Sequence, residues 1–174
     1  MKKISFPINL KQLENLKCGE RVLASGTLYT ARDAAHKRLY ELLQNGKDLP
    51  ININGQTIYY VGAAPAKPGH VIGPCGPTSS YRMDKYTPAL LDCGLKVMIG
   101  KGMRNFEVIQ SMIENRAVYL IAVGGAAALI AESIKKVELV CYDDLGTEAI
   151  YKYQVENMPL IVAIDCYGNN IYER

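Results

Sequence analysis

Residues 63–77 carry Pro65, Pro68, Gly69, Gly73, Pro74, Gly76 and Pro77, and no helix or long strand can run through such a stretch. Proline removes backbone donors and fixes φ, while glycine weakens any regular element around it. The chain therefore divides into an ordered first part, a long loop with at most a brief strand at 71–72, and a second half that alternates strand and helix signals. A loop of that length inside a compact domain is commonly functional.

Before the loop, residues 21–25 read as a short strand that passes through Gly26-Thr27 into a helix over 31–44. Thr30-Ala31-Arg32-Asp33 is a capping-box-like start, Gly46 a natural stop, and Ala35, Leu39, Leu42 and Leu43 form the apolar stripe. Asn54-Gly55, between Ile51/Ile53 and Ile58/Tyr60, predicts a β-hairpin whose second strand covers 57–61. After the loop, a helix is expected over 80–93 and a strand over 96–99. A helix over 105–115 follows, with Phe106, Ile109 and Ile113 on its apolar face. A strand over 118–123 leads through Gly124-Gly125 to a short helix over 126–132. Strands at 137–142, 150–155 and 160–165 and a terminal strand beyond the Gly168-Asn169-Asn170 turn complete the pattern. β-α-β units followed by a run of strands predict an α/β fold, one domain over 1–174 with a mixed sheet.

Composition narrows the function. A formal charge of +3, with no Lys/Arg block, argues against a nucleic-acid partner. No apolar run follows the basic start MKKISFPINL, so no secretory signal is expected. The apolar stretch 117–131 is broken by Gly124-Gly125 and too short to span a membrane, which leaves a cytoplasmic protein as the expectation. The five cysteines (Cys18, Cys75, Cys93, Cys141, Cys166) are widely spaced and include no C-x-x-C. Reduced thiols fit better than a disulfide framework, a zinc site or an iron–sulfur ligand set. With only His36 and His70, no metal site is expected on this chain.

Polar residues collect in four places. In 30–38, Arg32 and His36 are four apart on the expected helix and share a face beside its N-terminus, where an anion is favoured. In 76–84, Thr78, Ser79 and Ser80 open the next helix, with Arg82 one turn in. Lys101 stands between Gly100 and Gly102 at the C-terminal end of a strand, where α/β sheets bind ligands. Gly124-Gly125 either cradles an anion or allows close packing of the alanine-rich helix after it. Each place is also explained by a solvated face, a cap or a turn. Taken together, Arg32, Arg82 and Lys101 around Thr78 would suit a dianion such as a small dicarboxylate.

At these places the sequence resembles the β subunit, or C-terminal domain, of class I fumarate hydratases and L-tartrate dehydratases. The matching stretches are 27–38 (TLYTARDAAHKR), 76–84 (GPTSSYRMD), 99–102 (IGKG), 119–128 (YLIAVGGAAA) and the tail through 165–170 (DCYGNN). The resemblance implies a swivelling β/β/α domain. It also implies a partner α subunit, usually in an (αβ)2 assembly, that holds a [4Fe–4S] cluster with an open iron for the substrate hydroxyl. By the same resemblance Thr78 matches the catalytic base, while Arg32, Arg82 and Lys101 match the carboxylate-binding cations. Asp33, His36 and Ser79 would orient these groups from behind. Ser79 stands where many relatives have threonine, and it keeps the hydroxyl. The implied activity is reversible hydration of fumarate to L-malate, absent without the α subunit. L-tartrate dehydration to oxaloacetate and a non-catalytic dicarboxylate-binding module are the alternatives.

Overall fold

The computed structural model describes residues 1–63, 66–73, 75–122 and 125–173. In chain order its elements are β1 (Lys2–Phe6), α1 (Leu10–Glu14), β2 (Arg21–Thr30), α2 (Asp33–Gln44), β3 (Thr57–Tyr59), α3 (Thr87–Asp92), β4 (Val97–Gly100), α4 (Phe106–Asn115), β5 (Val118–Ala122), α5 (Ala127–Ser133), β6 (Ile134–Cys141) and β7 (Ile150–Ile164). Turns of 3-10 helix lie at Ser80–Met83, Asp143–Glu148 and Ile171–Glu173.

Strands β2, β3, β4 and β5 run parallel and side by side. β7 pairs antiparallel with both β5 and β2, which closes a five-stranded ring. β1 lies parallel on the first half of β2, and β6 lies antiparallel on the first half of β7. The fold is thus α/β with a mixed sheet.

Side chains alternate across the ring with the strand period of two. Val97 and Ile99 of β4, and Val118 and Leu120 of β5, point into an inner core with Val22, Ala24, Leu28 and Leu160. Met98 and Tyr119, one residue out of phase, point outward into a second core under α2, α3 and α4, which supply Leu39, Leu90, Val108 and Met112. Each such fully buried aliphatic side chain contributes roughly 2 kcal/mol. A slip of one residue in β4 or β5 would exchange the two cores, so the register is firmly set.

The structure departs from the sequence-based expectations where local signals meet tertiary pairing. β2 does not stop near residue 25. Its register against β7 shifts between Ala24 and Gly26, and Gly26 sits at φ 123° against the Phe6 backbone, where a Cβ would collide with the Phe6 carbonyl. Thr30 consequently belongs to the strand: its hydroxyl donates to the Ala149 carbonyl at 3.4 Å and accepts from Tyr151 N–H at 3.1 Å. It therefore does not cap α2, whose N-cap is Arg32. No hairpin forms at Asn54-Gly55. β3 is flanked by parallel partners on both sides, which leaves no edge for a hairpin strand, and Gly55 N–H instead bonds the Gly94 carbonyl at 2.8 Å.

The expected helix over 80–93 is two pieces, because Pro88 lacks an N–H and starts a new helix in the first turn of α3. The buried face of α4 is Val108, Ser111 and Met112; Phe106 is 70 % exposed and Ile113 36 %. Asn105 fixes that phase by accepting the Val108 N–H at 2.9 Å. The separate strands 150–155 and 160–165 are one strand, β7, that absorbs a left-handed Asn157 (φ 51°). Residues 71–72 form no strand, and Ile171–Glu173, the last described residues, form a 3-10 turn rather than a strand. β1 and α1 had no counterpart in the sequence reading. Val123 and Gly124 lie outside the described residues, so the Gly124-Gly125 cradle does too.

Candidate functional site

Thr30, Tyr59, Gly100 and Ala122 end the four parallel strands on one side of the ring, and Arg32 and Lys101 follow closely on the ends of β2 and β4. This is the side where parallel α/β sheets hold ligands. Ala31 N–H bonds the Tyr59 carbonyl at 3.1 Å, which keeps the turn into α2 beside the end of β3. Thr78 N–H bonds the Tyr60 carbonyl at 2.7 Å. Two residues on, Ser80 N–H bonds the Lys101 carbonyl at 2.9 Å, and Ser79 bridges Lys101 in parallel fashion. Segment 78–80 is therefore wedged between the extensions of β3 and β4, and Thr78 and Lys101 sit on adjacent backbone.

Asp33, the first residue of α2, draws the two arginines together. Arg82 Nε donates to Asp33 Oδ2 at 2.8 Å, and Arg32 Nε lies 3.8 Å from Asp33 Oδ1. The second contact is an ion pair without a hydrogen bond: both Arg32 Nε and Asp33 Oδ1 are buried and unpartnered. Arg32 is seated against the backbone of Gly62, where a Cβ would stand 3.1 Å from Arg32 Cδ. The terminal nitrogens of Arg82, the Lys101 ammonium and the Thr78 hydroxyl make no hydrogen bond or ion pair among the described residues. Arg32, Asp33 and Arg82 thus form one cluster. Thr78 and Lys101 are brought beside it by the backbone but not tied to it by side-chain contacts.

His36 does not share the exposed face with Arg32. Its ring is fully buried, edge-on to Tyr60 at 5.3 Å between centroids. Nδ1–H donates to the Arg32 carbonyl at 2.9 Å, which leaves Nε2 buried and bare. Burial lowers its pKa to about 4, so the ring is neutral and holds the backbone under Arg32. Ser79 is the N-cap of the 3-10 turn but its hydroxyl caps nothing.

Several supporting residues carry no sequence signal of their role. Arg104 is fully buried in an ion pair with Asp84 at 2.7 Å, donates to Tyr60 Oη and Thr87 Oγ1, and lies over the Tyr60 and Tyr119 rings. Asp84 also accepts the Asn105 N–H at 2.9 Å, so this pair pins the 80–84 turn to the loop after β4. Asp84 lay within the motif; its partner Arg104 sits in the loop before α4, outside every stretch singled out from the sequence. Ser80, not Ser79, is the buried hydroxyl of its run.

Among the described residues no three His, Cys, Asp or Glu side chains gather as metal ligands, and burial pushes the Cys75 thiol up to about 11. No helix among them is long and apolar enough to cross a membrane.

Comparison with known proteins converges on one family. The profile described as Fumarase C-terminus matches residues 2–174. The chain is 38% identical over 167 residues to the anaerobic class I fumarate hydratase of Escherichia coli, covering 95% of this chain and 30% of that protein. It is 36% identical over 166 residues to fumarate hydratase 2 of Leishmania major, covering 94% and 29%. A Methanocaldococcus jannaschii protein provisionally named L(+)-tartrate dehydratase subunit beta is 38% identical over 169 residues, covering 94% of this chain and 87% of that protein. The chain therefore spans under a third of the length of those two fumarate hydratases but most of the separate subunit. With a matching profile over nearly every residue, the chain belongs to the fumarase C-terminus family.

Proposed function

We propose that this chain is the β subunit of a hydro-lyase that hydrates fumarate reversibly to L-malate. In this reading it supplies the carboxylate grip and the base, while a partner α subunit holds a [4Fe–4S] cluster, the two assembling as (αβ)2 in the cytoplasm. The observation that carries the reading is the Asp33-centred pair of arginines, with Arg82 left free at its terminal nitrogens, beside the Thr78–Lys101 backbone. A planar guanidinium presents paired donors that match a carboxylate, and Lys101 adds a compact charge for a second one. Fixed cations also stabilise the charge that develops on a carboxylate as the adjacent carbon loses its proton. The same positive field favours an alkoxide at Thr78, which takes that proton. Asp33 keeps Arg82 aligned while leaving its outer donors for substrate, and neutral His36 fixes the backbone of Arg32.

L-tartrate dehydration is the second reading, supported by the beta-subunit relative that the chain matches over most of its length. Anaerobic co-assembly with an α-type subunit, followed by turnover of fumarate, L-malate and L-tartrate, separates the two. Preference for tartrate would replace the fumarase reading. Failure of the chains to associate, or no dehydratase activity, would leave a non-catalytic dicarboxylate-binding module. Thr78→Ala in the active complex should lower kcat by about 10²–10⁴-fold with little change in KM.

A further inference from the structure

Beneath Lys101, two hydroxyls have no role in the reading above. Tyr119 lies on β5 with its side chain fully buried, and Ser80 opens the 3-10 turn after Thr78, also fully buried. Tyr119 Oη donates to the Gly102 carbonyl at 2.8 Å and lies 2.7 Å from Ser80 Oγ. A phenol has a single proton. With that proton on Gly102, Tyr119 must accept from Ser80, and Ser80 Oγ in turn accepts the Lys101 N–H at 3.1 Å. The bonds therefore run one way, from Lys101 N–H through Ser80 Oγ–H and Tyr119 Oη–H to the Gly102 carbonyl, and return to the loop they left. Ser80 N–H closes the other side on the Lys101 carbonyl at 2.9 Å.

Steric fit enforces the same arrangement. Ser80 Oγ fills the space where a Cβ on Gly100 would stand, so only glycine admits the hydroxyl at that strand end. The Arg104 guanidinium lies 4.9 Å from the centroid of the Tyr119 ring and packs over its face. Both amide groups of Lys101 are thus bound to Ser80, while its ammonium carries no partner among the described residues. The backbone is locked and the charge is left free.

We infer that Tyr119 and Ser80 are positioning residues: their chained hydroxyls lock the Lys101-Gly102 turn to segment 78–80 and so fix the distance between the Lys101 cation and Thr78. The effect on substrate rests on the carboxylate-binding role proposed for Lys101 above; the lock itself does not. Tyr119→Phe keeps the ring under Arg104 and removes only the hydroxyl. Ser80→Ala removes the middle of the chain.

The test has two arms. In the isolated chain, hydrogen exchange at the Lys101 amide should quicken by about tenfold in either variant, as for loss of one buried hydrogen bond, while Val108 and Met112 amides in α4 stay protected. In the complex with the α subunit, either variant should raise KM for fumarate by about tenfold with a smaller change in kcat, and the double variant should be no worse than one alone, since the hydroxyls act as a unit. Unchanged exchange at Lys101 in Tyr119→Phe overturns the lock. Faster exchange with KM unmoved, or additive losses, overturns its role toward substrate. A wild-type complex that turns over no such acid overturns the proposed function instead, and the exchange arm alone then decides the lock.

Discussion

Two Arg–Asp pairs stand a few residues apart at the same end of the ring, and they are built for opposite purposes. Arg104 and Asp84 meet at 2.7 Å with side chains 0% and 8% exposed, and Arg104 also bonds Tyr60 and Thr87. Arg82 and Asp33 meet at 2.8 Å with side chains 44% and 33% exposed, and only Nε of Arg82 is engaged. A buried pair whose three guanidinium nitrogens are all engaged serves the protein, while a half-exposed pair with spare donors can also serve a guest. The similar distances say nothing about which is which. Burial and the count of remaining donors decide it, because desolvation makes an unpaired buried charge far more costly than an exposed one.

Breaking the buried pair should have the largest effect. Arg104→Ala strands Asp84 in a site closed to water and should cost about 3–5 kcal/mol in urea unfolding. A loss below roughly 1 kcal/mol would mean the pair is not buried as described.

His36 gives the next effect and a pH signature. Its folded pKa of about 4 lies below the ordinary 6.5, so between those values the unfolded chain binds the proton more readily than the folded one. The contribution of neutral His36 is therefore complete above pH 6.5 and is lost as pH falls toward 4. It amounts to roughly 3 kcal/mol across that window. Unfolding titrations of wild type and His36→Leu should diverge in slope there, the variant being flatter; parallel curves would contradict a buried neutral ring.

Asp33→Asn should have the smallest effect on folding, within about 1 kcal/mol because the pair is partly exposed. Its consequence should appear in the complex, as a rise in KM of about tenfold when Arg82 loses its aligning carboxylate. Equal KM would show that the arginines are held by something other than Asp33.

Much of this end of the molecule was legible in the sequence. Thr78, Arg82 and Lys101 were singled out from hydroxyls, glycines and cations at element boundaries, and the structure puts those boundaries on one side of the ring. The reason is general: parallel strands bring all their C-terminal ends together, so motifs spread over seventy residues of sequence become neighbours. What sequence periodicity could not supply was pairing. Closure of β7 onto β2, the passage of β2 through Gly26, and the placement of β3 between two parallel neighbours are non-local choices. Arg104 escaped notice for the same reason, since its burial comes from Asp84, Tyr60 and Tyr119, all distant in sequence. The exposed Phe106 shows the limit of helical patterning, because the Asn105 cap set the phase of α4.

In the proposed function Arg82, unlike Arg104, is held ready for a substrate carboxylate. Anaerobic fumarate turnover by the proposed αβ complex carrying Arg82→Ala, with unfolding measured on the same variant chain, tests this directly. The expected result is a loss of kcat/KM of about 10²-fold or more with stability within about 1 kcal/mol of wild type. Full turnover by that variant would contradict the claim.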